Sequence, residues 1–288
     1  MLWLLVRLIS SKKCRVMIKL NDNVIEQGRF PDGTLALNVH SSLMDDMMFE
    51  QVITWLYDGD DEMFTIMSLV DMLKRNGHNR YILHMPYLPN ARMDRIKSNN
   101  ENFALKVFCN WLNSLGFAKV YVENVHSNVS NALVDNIVDM LPEHDIKLIT
   151  NLYDFDVIFF PDEGACKRYK DMETIKMLGC PIAFGIKNRD WKTGEILGLD
   201  VMGADVKGKK VLIIDDICSK GFTFYYSAEK LKELGATDIR LYITHCEDNI
   251  KNGRILDEDV DVISKVYTTD SICHIEDEKM AFVRKFRG

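Results

Sequence analysis

Two adjacent aspartates, Asp215 and Asp216, follow the apolar run Val211–Ile214 and precede Ser219-Lys220-Gly221-Phe222-Thr223. A short uninterrupted run of branched apolar residues is the pattern of a strand buried on both faces of a parallel sheet. Residues 224–234 place Leu231 and Leu234 among Glu and Lys ahead of Gly235, which predicts a helix stopped by glycine. Strand, acidic pair at the strand's end, tight loop and helix describe a ligand site at the carboxyl edge of a parallel sheet. Carboxylates there can accept hydrogen bonds from a ribose diol, and the first N–H groups of the helix can hold a phosphate. The same residues would equally serve an ordinary βα unit whose aspartates cap the helix. The stretch alone leaves both readings open.

Other chemistry-bearing residues also stand just past apolar runs. Tyr81–Met85 reads as a strand and leads into Pro86-Tyr-Leu-Pro-Asn-Ala-Arg92-Met93-Asp94-Arg95. Val120–Val122 reads as a strand ending in Glu123-Asn124-Val125-His126, and residues 156–160 end in Pro161-Asp162-Glu163-Gly164. The run 181–184 precedes Lys187-Asn188-Arg189, which opens a polar segment to Gly198. Taken singly, His126 is an ordinary histidine, and Arg92 and Arg95 form a solvated loop face paired with Asp94.

The elements that must position these residues alternate between strand and helix. Residues 18–25 read as a hairpin turned by Asn21-Asp22-Asn23, and Phe30–Thr34 reads as a turn before a strand at 35–39. A helix over 60–75 carries Met63, Ile66, Met67, Val70 and Leu73 on one stripe, with the methionines as core filler. Further helices are predicted over 103–115 and 167–178, and the last strand over 262–269. This alternation predicts α/β layers with mainly parallel central sheets.

The length of 288 residues suits two domains. Their expected limits are 17–144 and 145–288, joined by a short linker near 141–144, with 1–16 an extension of unassigned role. A net charge of −7 argues against a nucleic-acid binder, so an anionic substrate must be met by local basic residues. Seven scattered cysteines without a CxxC pair read as reduced thiols of a cytoplasmic protein and exclude a zinc site. The apolar start is too short to span a bilayer, and Arg7 interrupts it, so neither a membrane span nor a secretory signal is expected.

The stretch 211–223 resembles the phosphoribosyl-diphosphate loop of type I phosphoribosyltransferases and ribose-phosphate pyrophosphokinases. In those proteins two acids and two variable residues precede Asp-Thr-Gly-Gly-Thr. Here Ser219, Lys220 and Phe222 depart from that pattern. The Pro86–Arg95 segment, with Lys106 on the next helix and His126 past the next strand, resembles the pyrophosphokinases in particular. Their motif reads Pro-Tyr-Phe-x-Tyr-Ala-Arg-Gln-Asp-Arg and, later, Asp-Leu-His. Met93 stands for the glutamine and Asn124 for that aspartate. Phe30-Pro-Asp32-Gly-Thr34 resembles the family's Phe-Ser-Asp-Gly-Glu turn, and Thr34 stands for the glutamate.

The resemblance implies two tandem phosphoribosyltransferase-like (Rossmann-like) domains. It implies transfer of the β,γ-diphosphate of ATP to the anomeric hydroxyl of ribose 5-phosphate, giving phosphoribosyl diphosphate and AMP, with Mg²⁺ as cofactor. By position, Phe30, Asp32, Arg92, Asp94 and Arg95 would bind ATP, with the Phe30 turn serving a neighbouring subunit of a homo-oligomer. His126 and Asp162 would stand by the metal, and Lys187 and Arg189 would stabilise the transferred group. Asp215, Asp216 and residues Ser219, Lys220, Gly221, Phe222 and Thr223 would hold the ribose phosphate. The altered loop keeps open a larger acceptor such as ADP-ribose, with Phe222 or Tyr225 stacking on its base. A nucleobase phosphoribosyltransferase and a catalytically silent regulatory homologue are the remaining alternatives.

Overall fold

A computed structural model describes residues 17–43, 50–189 and 196–287. The extension 1–16 lies outside the described residues. The chain divides into two compact units, the first ending at Met140 and the second beginning at Leu141.

The first unit opens with β1 (Met17–Leu20) and β2 (Asn23–Val24), paired with Leu20 opposite Asn23. Asn21 and Asp22, at φ 49° and 64°, form the two-residue turn. Two successive left-handed residues match the strand twist in such a turn, and Asn and Asp tolerate them. β3 (Gln27–Arg29) and β4 (Leu35–Leu37) form a separate ribbon around the Phe30–Thr34 turn. Then come β5 (Gln51–Leu56), α1 (Met63–Arg75), β6 (Tyr81–His84), α2 (Ala104–Ser114), β7 (Val120–Glu123), α3 (Asn128–Leu133) and β8 (Ile137–Met140). The sheet order is β2-β1-β5-β6-β7-β8, and β5 through β8 run parallel.

One reading of α1 is corrected. Its buried face is Ile66, Leu69, Val70 and Leu73, whereas Met67 is 42% exposed. Leu69 and Met67 lie about 200° apart around a helix, so both cannot face the sheet.

In the second unit α4 (Glu143–Leu152) begins where a linker was expected. There follow β9 (Val157–Phe160), α5 (Glu163–Tyr169), α6 (Glu173–Leu178), β10 (Ile182–Arg189), β11 (Ile196–Gly203), β12 (Lys210–Cys218), α7 (Phe222–Glu233), β13 (Asp238–Cys246), β14 (Lys265–Thr269) and β15 (Met280–Arg284). The order is β11-β10-β9-β12-β13-β14-β15, and every pairing is parallel except β10 with β11. β9 and β12 are buried on both faces. Phe159 and Ile213 join one core while Ile158, Phe160, Leu212 and Ile214 join the other. Alternate side chains point to opposite faces of a strand, so a continuous apolar run suits a sheet covered on both sides.

Three further expectations change. The helix over 167–178 is two helices, because the Glu143 carboxylate accepts from the N–H groups of Glu173 (2.9 Å) and Thr174 (2.8 Å) and starts α6 afresh. Of the polar segment expected from Lys187 to Gly198, residues 190–195 lie outside the described residues, and 196–198 belong to β11, which returns along β10. The strand at the carboxyl end is β15, beyond the one expected last.

Candidate active site

The Pro86 loop is anchored by its apolar residues. Leu88 and Ala91 are buried, Asn90 turns the chain at φ 63°, and Arg92 and Arg95 are left exposed. Asp94 is the residue that fixes the basic end. Its carboxylate accepts from Arg95 Nε at 2.9 Å and from Ser127 Oγ at 2.7 Å. Ser127 is also the N-cap of α3, its Oγ accepting from Val129 N at 3.2 Å. The loop after β6 and the loop after β7 are thereby tied together. The Arg95 guanidinium first, then the Ser127 hydroxyl, and more weakly the charge of His126, hold Asp94 below the usual carboxylate range. His126 is exposed beside this pair, and Asn124, which stands for the family's aspartate, is fully buried at φ 43°, with its N–H on Met140 O at 2.9 Å. A left-handed bend at that point favours asparagine over most other residues.

The Phe30–Thr34 turn is closed by Phe30 N to Thr34 O at 2.9 Å and by Asp32, which accepts from Thr34 N (3.0 Å) and Thr34 Oγ1 (2.7 Å). Those two donors keep the Asp32 carboxyl below its ordinary value. Phe30 stands 54% exposed at the tip.

In the second unit the acids collect at the carboxyl ends of neighbouring strands. Asp162 caps α5 directly after β9, accepting from Ala165 N at 3.0 Å. Asp215 and Asp216 lie within β12 rather than past its end, with Asp215 opposite Ile243 and Cys218 opposite Cys246. Burial, then the charges of Asp216 and Asp162, push the Asp215 carboxyl well above the ordinary range. A carboxylate so placed is costly to ionise without a cation or hydroxyl donors.

Cys218 leads straight into Ser219–Thr223, where Gly221 precedes α7 at φ 79°. A Cβ on Gly221 would also press on Ile255 Cδ1, but it is the left-handed backbone that calls for glycine here. Ser219 Oγ accepts from Asn249 Nδ2 at 2.8 Å, and Lys220 is exposed. Lys187 and Arg189 lie on β10, their backbone paired with β11. Their side chains lie outside the described set. Among the described residues no group of three or more His, Cys, Asp and Glu side chains forms a ready-made metal cage.

Comparison with known proteins places the chain in a family. Residues 11–116 match the N-terminal domain of ribose phosphate pyrophosphokinase, and residues 151–281 match the phosphoribosyl transferase domain. The chain is 30% identical over 226 residues to a ribose-phosphate pyrophosphokinase of Cereibacter sphaeroides, covering 75% of this chain and 65% of that one. It is 28% identical over 256 residues to one of Nitrosomonas europaea, covering 87% of this chain and 78% of that one. This chain belongs to the ribose-phosphate pyrophosphokinase family. A phosphoribosylpyrophosphate synthetase structure from Mycobacterium smegmatis aligns with a TM-score of 0.69, 20% identity and coverage of 90% of this chain and 85% of that one. That likeness shows the fold, a tandem pair of phosphoribosyltransferase-like α/β units.

Within the ribose-phosphate pyrophosphokinase framework, sequence reasoning missed Ser127 and Asn249. Ser127 had a local signal, a serine opening a helix just after His126. Asn249 had none, because it meets the loop from 30 residues away. The stacking role given to Tyr225 is corrected. Tyr225 is buried, its hydroxyl donates to Glu229 at 2.6 Å, and Arg254 covers its ring at 4.8 Å. The exposed aromatic next to it is Tyr226, 58% exposed and stacked on Phe222 with centroids 6.3 Å apart.

Proposed function

We propose that this protein transfers the β,γ-diphosphate of ATP to the anomeric hydroxyl of ribose 5-phosphate, releasing phosphoribosyl diphosphate and AMP. The observation that carries the reading is the Ser127–Asp94 bond, which joins the Arg92–Arg95 loop to the His126 loop in one arrangement. Nucleobase phosphoribosyltransferase chemistry has no evident use for such a basic loop. The family membership and the retained acidic pair on β12 support catalysis over a silent role.

The chemistry is a displacement at the β-phosphorus. The ribose O1 forms the new O–P bond, the bond from the β-phosphorus to the bridging oxygen of the α-phosphate breaks so that AMP leaves with that oxygen and the electron pair, and the hydroxyl proton passes to solvent. Such transfers depend on positioning and on charge stabilisation. Arg92 and Arg95 offer planar guanidinium groups for the ATP phosphates. Phe30 and Asp32 offer a surface for the nucleotide, which the resemblance assigns to a neighbouring subunit, so a homo-oligomer is expected. Asp215 and Asp216 accept from the ribose hydroxyls, and Ser219–Thr223 hold the 5′-phosphate. Lys187 and Arg189 stabilise the transferred group.

The donor set fits Mg²⁺. Asp162, Asp215 and Asp216 are hard oxygen donors, and the raised carboxyl of Asp215 gains from a nearby cation. The resemblance assigns the ion to His126 and to Asp162, and within the second unit Asp162 would hold it with the help of substrate phosphates. When bound, the ion neutralises phosphate charge.

One observation favours a second reading, with a larger 5′-substituted ribose such as ADP-ribose as acceptor. Phe222 and Tyr226 present stacked, exposed rings on the first turns of α7, Phe222 within the loop that would hold the 5′-phosphate and Tyr226 one turn beyond it. Stacked aromatics accept a purine face. The test is incubation with Mg-ATP and each acceptor, with AMP and the diphosphorylated sugar measured. AMP formation that requires an acceptor supports the reading, and ATP left intact with both acceptors overturns it. Sedimentation of the active protein as a monomer would overturn the subunit-spanning ATP site.

A further inference from the structure

A short 3₁₀ turn, Asp248–Asn252, packs against the loop Ser219–Thr223. Glu247 N donates to Cys218 O at 2.8 Å where the turn leaves β13. Asn249 Nδ2 then donates to Ser219 Oγ at 2.8 Å, and Asn252 Nδ2 donates to Asn249 Oδ1 at 2.9 Å. The turn can come this close because residue 253 is glycine, where a Cβ would collide with the Lys220 carbonyl oxygen.

We propose that Asn249 is a positioning residue that fixes the Ser219 hydroxyl as a hydrogen-bond donor to the acceptor's 5′-phosphate. The inference rests on reading residues 219–223 as the acceptor's phosphate loop. A serine hydroxyl has one proton and two lone pairs. The Asn249 amide occupies a lone pair, which leaves the proton to be donated to an anion. Asn252 engages the Asn249 carboxamide oxygen, so the amide nitrogen is the atom turned to Ser219. The relay therefore has a direction, from Asn252 through Asn249 to Ser219 and on to the ligand. It gives a position that is an acceptor-only aspartate in the resembled loop the polarity that suits a phosphate oxygen.

The test compares the parent, Asn249→Ala, Ser219→Ala and the double variant. Steady-state kinetics and calorimetric titration would use the acceptor the parent takes, ribose 5-phosphate or ADP-ribose. Asn249→Ala is expected to raise both the acceptor KM and its Kd by about tenfold, the size of one charge-assisted hydrogen bond. The KM for ATP and the thermal midpoint should stay within error of the parent. In the Ser219→Ala background the same change should have no further effect, since the two residues act through one bond. Asn249→Asp, nearly the same size, accepts the serine proton instead and should bind acceptor more weakly than Asn249→Ala. Independent, additive effects of the two single variants would overturn the proposal. So would a lower thermal midpoint with an unchanged acceptor KM, the mark of a structural role. A parent that binds acceptor without turnover, and loses that binding on Asn249→Ala, would overturn the proposed reaction and leave this inference standing. A parent that binds neither acceptor overturns both.

Discussion

Asp94 Oδ2 accepts a hydrogen bond from Ser127 Oγ at 2.7 Å, across 33 residues of sequence. That bond sets where the loop's basic end stands relative to His126. Ser127→Ala removes the donor and one N-cap together. The expected outcome is a rise of about three- to tenfold in the KM for ATP with little change in the KM for the acceptor. Loss of the cap should also lower stability by about 1 kcal/mol. An unchanged ATP KM, measured at saturating acceptor, would separate Asp94 from nucleotide binding.

The acidic pair makes a pH prediction with a definite sign. The folded protein holds the Asp215 proton more tightly than the unfolded chain does, because burial and the charges of Asp216 and Asp162 oppose ionisation. Between the unfolded and folded pKa values the folded state binds more protons, so stability falls as pH rises through that window. Asp215→Asn should abolish this part of the decline and raise the thermal midpoint at neutral pH, while turnover drops. Thermal melts of parent and variant at a series of pH values check it. A variant less stable than the parent at neutral pH would contradict the assignment.

Lys187 is assigned to the transition state rather than to binding. Lys187→Ala is expected to lower kcat by about 10²–10³ while the KM for ATP changes little. Equal turnover in variant and parent would remove Lys187 from the mechanism.

Phe222 and Tyr226 bear on the choice of acceptor. With a purine-bearing acceptor, Tyr226→Ala should lower kcat/KM for ADP-ribose by about tenfold, as expected from loss of one stacking ring. The value for ribose 5-phosphate should hold. A parent that prefers ribose 5-phosphate by that margin would sink the larger-acceptor reading.

The sequence by itself determined the α/β class, the family and the candidate loops, because these are local properties. Continuous apolar runs mark the doubly buried β9 and β12, Asn21-Asp22 writes its own turn, and Asp162 and Asp215 stand just past or within such a run. What the chain could not show was anything that depends on a distant partner. α6 begins where it does because Glu143 reaches its first N–H groups from 30 residues away. Met67 faces solvent because Leu69 and Val70 take the sheet side of α1. Asp94 is held by Ser127, Ser219 by Asn249, and Tyr226 rather than Tyr225 is the exposed ring only because Glu229 and Arg254 engage the other. A residue's type and spacing say what it can bind. Only tertiary packing decides which of its hydrogen-bonding groups are already engaged within the protein.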